Sequence, residues 1–320
     1  MLLSARTVPA QAAPAPADTL RPVGTERRLA YTYANDLFFR TDYYFTQGMT
    51  LTLVHPALAR LPMRHLLART AGGSTQQHGI TLRYDGFTPL RIQDDFIRVG
   101  DRPHAAYGYA SFFRVSSQPA RRQRLTTALE LGFIGPAAGG RELQTTIHRL
   151  TGNAEPRGWG HQVRNDAVLG YRVAYEKQLL AAPGRAELLG TAEASLGTLY
   201  TNAGTGLRIT VGRFTPGFEG SDAGGPAGGE KHRPWQFYGL ATLESRFVGY
   251  DATLQGGVFN RSSPYTLAAA DVRRAVLRST GGLVLAHGGL ALSATATWLT
   301  PEFAGGRSHR WGQLGVAAGF

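Results

Sequence analysis

From Arg28 onward, apolar and polar residues alternate in runs of roughly ten, the period-two signature of strands with one apolar and one polar face. In the second run Met49, Leu51 and Leu53 face one way and Thr50 and Thr52 the other. In the fifth, Leu125, Leu129, Leu131 and Phe133 oppose Thr126, Ala128 and Glu130. Leu169, Tyr171, Val173 and Tyr175 oppose Arg172, Ala174 and Glu176, and Phe237, Ala241, Leu243 and Phe247 oppose Thr242, Glu244 and Arg246. Twelve runs emerge, at 29–35, 45–54, 78–87, 105–115, 125–134, 169–176, 188–196, 206–214, 237–247, 272–285, 290–300 and 311–320. Between the second and third, residues 55–71 read as a short helical turn.

The polar faces carry charges of both signs at mid-strand: Glu130, Arg172, Glu176, Glu187, Glu193, Glu244 and Arg246. A sandwich core would bury these at heavy cost, whereas a narrow, wet barrel lumen accommodates them as pairs. The last run alternates Leu314, Val316, Ala318 and Phe320 and ends on that aromatic, as last strands of outer-membrane barrels do. No apolar run is long enough for a membrane-spanning helix, which leaves strands as the crossing element. The expected fold is all-β: a twelve-stranded antiparallel transmembrane β-barrel over residues 27–320.

One segment breaks the alternation. In 139–160, Leu143, Ile147 and Leu150 recur at helical spacing, and Gln144 and His148 stand four apart on a neighbouring stripe. Gly152 suits the left-handed residue that stops a helix; Glu155 and Trp159 follow. An imidazole and an amide on one short loop helix, and a carboxylate just after it, thus gather in a short stretch of chain, although the same spacing also suits a surface helix with no chemistry. With both chain ends on the inner side, strand parity puts this helix outside, with loops 36–44 and 88–103. It also puts the Gly-rich connection 217–233 inside, where turns are ordinarily short.

The first hairpin brings Asn35 and Asp36 beside Thr46, an oxygen set suited to a hard cation such as calcium or to local turn bonds. The net charge of +12 is carried almost wholly by arginine and favours an anionic partner. The arginines are scattered, without a basic recognition helix, which argues against nucleic acid. The chain has no cysteine, hence no disulfide or thiolate site. It also lacks P-loop, H-E-x-x-H and G-x-S-x-G motifs. Residues 1–26, rich in Ala and Pro, read as a leader or disordered N-terminal segment.

Four stretches carry a resemblance: AND (34–36), TDYYFTQG (41–48), GDRPHAAY (100–107) and IGPAAGGRELQTTIHRLTGNAEPRGWGHQ (134–162). Together they resemble the outer-membrane lipid A 3′-O-deacylase family of the LpxR type. The resemblance implies a twelve-stranded barrel in the bacterial outer membrane with an extracellular loop helix against its wall. It further implies a Ca2+-dependent ester hydrolase of phospholipase A2 logic, acting on the lipid A of lipopolysaccharide. His148 would be the general base, Gln144 its neighbour, Asn35 and Thr46 rim residues of the catalytic group, and Asp36 the calcium ligand. The family's carboxylate after the helix falls at Ala154 here, which makes Glu155 the second metal candidate, and Arg91 is nearest to a basic residue of the second outer loop. The rival readings are a family barrel without catalysis, in a structural or binding role, and a narrow pore.

Overall fold

The computed structural model describes residues 27–39, 41, 43–72, 74–218 and 235–320. The leader, Asp42, His232 and most of the 217–233 connection lie outside them. Among the described residues twelve strands close into one antiparallel barrel. They are β1 (Arg28–Asn35), β2 (Tyr44–Val54), β3 (Thr75–Thr88), β4 (Ala105–Gln118), β5 (Gln123–Ile134) and β6 (Asp166–Ala182). They continue as β7 (Ala186–Gly197), β8 (Tyr200–Arg213), β9 (Gln236–Asp251), β10 (Ala275–His287), β11 (Leu290–Leu299) and β12 (His309–Gly319). β1 closes the ring on β12, from Arg28 opposite Gly319 to Asn35 opposite Gly312. The loop helix is α1 (Gly140–Thr151).

Polarity is inverted relative to a water-soluble fold. Leu29, Leu51, Leu82, Leu131, Phe133, Leu169, Leu207, Phe237, Leu243, Leu283, Leu292 and Leu314 are all exposed, giving an apolar outer wall from β1 round to β12. Such a continuous wall is what acyl chains cover. The mid-strand charges point inward and pair. Arg172 meets Glu130 at 3.3 Å and Glu193 at 3.7 Å, and Arg246 meets Glu193 at 3.1 Å. Glu176 bridges Arg208 at 2.7 Å and Arg124 at 3.2 Å. Glu187 takes a 2.7 Å hydrogen bond from the Gln178 amide, and Arg278 faces Glu244 at 3.8 Å. The cavity left among these side chains holds about 110 Å³, room for a few waters.

Loops shut the outer mouth. Tyr44, Val248, Leu254, Leu267, Val272 and Phe303 form an apolar cluster there. Beside it Arg102 is fully buried: it pairs with Glu302, donates to Thr253 Oγ1 at 2.6 Å and lies 4.2 Å over the Phe87 ring. The neighbouring Asp101 stays local, facing Arg98 at 3.4 Å and accepting from Arg102 N at 2.8 Å, while the Arg102 side chain ties the loops together.

Two sequence expectations shift and one holds. β10 begins at Ala275; Val272 forms only an isolated bridge to Phe303. The long inner connection after β8 stands where strand parity placed it, because β8 and β9 are adjacent and pair from Tyr200–Asp251 to Arg213–Phe237, with one bulge at Thr201/Asn202. Residues 55–71 form two 3-10 turns, Pro56–Arg60 and Pro62–Leu66, each started by a proline whose missing N–H costs nothing at that position.

Candidate active site on the outer wall

α1 meets the barrel with its polar stripe. Gly140, Gln144 and His148, at i, i+4 and i+8, are its buried residues, while Leu150 is 82% exposed and Leu143 and Ile147 are half-buried. Close approach at the first turn requires Gly140. A Cβ there would stand 2.6 Å from Ala106 Cβ and 2.6 Å from the Trp159 ring.

The wall beneath is unusually polar. Asn35 continues the outward face of Leu29 and Tyr31, and its Nδ2 donates to Tyr33 Oη at 3.1 Å. Opposite Asn35 stands Gln47. On the other flank the register of β2 with β3 steps from Phe45–Phe87 to Gln47–Gly86, leaving Thr46 as a bulge. Bulges re-aim side chains, and here the Thr46 and Gln47 side chains share the outer side. A Cβ on Gly86 would lie 3.5 Å from Thr46 Cγ2, 3.6 Å from Gln47 Cγ and 3.3 Å from Tyr84 Oη. Asn35, Thr46 and Gln47 are buried although they face the lipid side, because the loop and helix cover them.

Two hydrogen bonds tie helix to wall. Gln144 Nε2 donates to Thr46 Oγ1 at 3.3 Å, and Trp159 Nε1 donates to Gln144 Oε1 at 2.7 Å. Beyond Gly152, which adopts φ 69°, the chain turns back under the helix and brings the Ala154 carbonyl 2.6 Å from His148 Nδ1. A carbonyl only accepts, so Nδ1 carries the proton and Nε2 presents its lone pair. Nε2 has no partner among the described residues.

Asp36 opens the 3-10 turn Asp36–Phe39 and is buried; its Oδ2 accepts from Tyr43 N at 3.1 Å. Asn35 Oδ1 caps the same turn through Leu37 N at 2.7 Å. Glu155 does not join this group. It lies exposed, with Oε1 accepting from Arg149 Nη2 at 3.1 Å; Ala154 is exposed as well, and only its carbonyl turns to His148. Arg91 is likewise exposed, 3.8 Å from Asp94.

The sequence did not reveal the supporting layer. Trp159 is buried and orients Gln144, and its ring lies 5.1 Å from that of His104. His104 in turn fills the space over Gly158, where a Cβ would come within 2.3 Å of its Cε1. Burial pushes the His104 imidazole pKa down to about 3. The glycine at 158 and the aromatic beside it were the available signals.

A closed antiparallel barrel with an apolar exterior, an ion-paired lumen and a loop helix clamped to its wall is an outer-membrane barrel, located in the bacterial outer membrane. More specifically, the chain belongs to the family of outer membrane protein LpxR, whose family model matches residues 1–320. Among solved structures it is similar to LpxR from Salmonella typhimurium, with a TM-score of 0.72 and 19% identity over 92% of this chain and 100% of that one. The β domain of the Bordetella autotransporter BrkA is also similar, at TM-score 0.44 and 12% identity, over 92% of this chain and 98% of that one. The translocator domain of NalP from Neisseria meningitidis stands at TM-score 0.43 and 12% identity, over 95% of this chain and 92% of that one. No curated protein matches.

Proposed function

We propose that this chain is an ester hydrolase that removes an ester-linked (3′-O) acyl chain from lipid A in the outer leaflet. The observation that carries this reading is the 2.6 Å contact between His148 Nδ1 and the Ala154 carbonyl, beside the Trp159–Gln144–Thr46 relay. It leaves Nε2 as a base able to take a proton from water as that water attacks an ester carbonyl. Gln144, clamped at its oxygen and donating at its nitrogen, holds Thr46 and the helix in register for that attack. The apolar stripe of half-buried Leu143 and Ile147 and exposed Leu150 flanks the wall contact and suits acyl chains, and exposed Arg141 and Arg157 suit the phosphates of lipid A.

The donor set fits calcium in kind. Asp36 supplies one buried carboxylate, Asn35 an amide oxygen, and water and backbone carbonyls would complete the shell. Among the described residues no three His, Asp or Glu side chains gather as a cage, so Asp36 is the anionic anchor of this proposal and Glu155 is not part of it. A bound divalent cation would stabilise charge developing on the ester carbonyl oxygen. The test is mass spectrometry of lipid A incubated with refolded protein, with calcium and then with chelator, beside His148→Ala. Loss of one acyl chain only with calcium and only with His148 supports the reading. No mass change with folded protein sinks it in favour of a barrel without catalysis.

A further inference from the structure

At the opposite end of the barrel the segment 55–72 does not hang into the periplasm as an ordinary turn. It folds back over the outer wall. Arg114 alternates with the lumen-lining Phe113 and Val115 and therefore faces outward; its Nη1 and Nη2 each donate at 2.7 Å, to the carbonyls of Leu67 and Arg64. Thr127, on the same face as exposed Leu131, donates to the Ala68 carbonyl at 2.9 Å, and Tyr171, beside exposed Leu169, accepts from Ala68 N at 3.0 Å. The segment thus leaves and rejoins the barrel at the inner ends of β2 and β3 and is pinned along the outward face of β4, β5 and β6.

Its charge is one-sided. From His55 to Tyr84 the sequence contains no Asp or Glu. Arg114 is only 7% exposed, and the partners of its guanidinium are neutral: two carbonyls and His78 Nε2 at 3.2 Å. A buried cation without a counter-charge is costly, and a nearby anion relieves that cost. Arg60 and Arg69 are exposed and have no ionic or hydrogen-bonded partner among the described residues. Between them Leu66 is 65% exposed. Basic heads flanking an apolar side chain on a membrane-level surface are the composition of an interfacial lipid-binding segment.

We propose that residues 55–72 with Arg114 form a binding site for the phosphate headgroup of acidic glycerophospholipids in the inner leaflet of the outer membrane. Arg60 and Arg69 contact the headgroup, Leu66 enters the acyl boundary, and Arg114 sets the local positive field from behind. This site is separate from the one on the outer-leaflet side and does not depend on the reaction proposed for it.

The experiment is native mass spectrometry of the detergent-purified full chain with phosphatidylglycerol or phosphatidylcholine added, for wild type and for Arg60→Gln/Arg69→Gln. Heat-modifiable migration confirms folding in each case. Wild type retains phosphatidylglycerol over phosphatidylcholine, and the double variant loses that preference by roughly tenfold or more, as expected for two interfacial arginines. Arg114→Met, with the surface arginines intact, weakens retention further only for the acidic lipid. Equal retention of the two lipids by wild type, an unchanged preference in Arg60→Gln/Arg69→Gln, or displacement of the lipid by millimolar inorganic phosphate would overturn the proposal. So would preferential retention of lipid A through these same residues.

Discussion

The Trp159 indole N–H donates to Gln144 Oε1 at 2.7 Å, and this bond decides which way the Gln144 amide points. Indole only donates, so the amide oxygen must face Trp159 and the nitrogen must face Thr46. Trp159→Phe keeps the packing but frees the amide to flip. Activity on lipid A is expected to fall about tenfold with barrel stability unchanged, read by initial rates and heat-modifiable migration. An unchanged rate would remove Gln144 orientation from the mechanism.

Asp36 and Glu155 should separate cleanly. Asp36→Ala is expected to abolish hydrolysis and the response to calcium. Glu155→Ala removes only an exposed pair with Arg149 and is expected to leave the rate within twofold. Calcium titration of both variants checks this; a large loss in Glu155→Ala would restore it as a ligand.

Gly140→Ala places a methyl 2.6 Å from both Ala106 Cβ and the Trp159 ring. The helix must lift from the wall, at a cost of about 1–3 kcal/mol for an overpacked contact. Expected are loss of activity and faster amide exchange in α1, with exchange in the strands unaffected.

Acid should loosen the layer that holds Trp159. The folded-state pKa of His104, about 3, lies below the ordinary value near 6.5, so the open loop binds a proton that the packed loop refuses. Packing stability is therefore full above about pH 6.5 and is lost progressively as pH falls towards about 3. Hydrogen exchange in 155–163 between pH 7 and 4 measures this. His104→Phe should flatten the dependence, and an equally steep profile in that variant would assign the effect elsewhere.

The Arg102–Glu302 pair plugs the outer mouth, and with the ion-paired lumen it predicts no porin-like conductance in planar bilayers. Arg102→Met removes the cation paired with the buried Glu302 carboxylate and should lower the unfolding temperature, by a cost of about 3–5 kcal/mol. Steady single-channel steps from wild type would favour the pore.

The strands and their faces were legible because lipid outside and paired charge inside impose period two on nearly every residue of the wall. Strand ends were less so: β3 starts at Thr75 and β6 runs from Asp166 to Ala182, since edges are set by loop contacts that leave no alternation. The helix and its Gln144–His148 stripe were visible in the spacing, but spacing does not say which stripe meets the wall. The Thr46 bulge adds one residue to one strand and leaves no mark in the sequence. Glu155 looked close because it is close in the chain. The fold spends that position on the Ala154 carbonyl.

For the proposed hydrolysis, an α1 that turns its amide and imidazole to the wall, beside the lipid-facing Asn35, Thr46 and Gln47, sets the reaction space against the outer leaflet. A substrate there arrives by lateral diffusion, not from the aqueous phase, so the concentration that matters is its mole fraction in the leaflet. Diluting the lipid with inert detergent at constant bulk concentration should slow the reaction, and adding water should not.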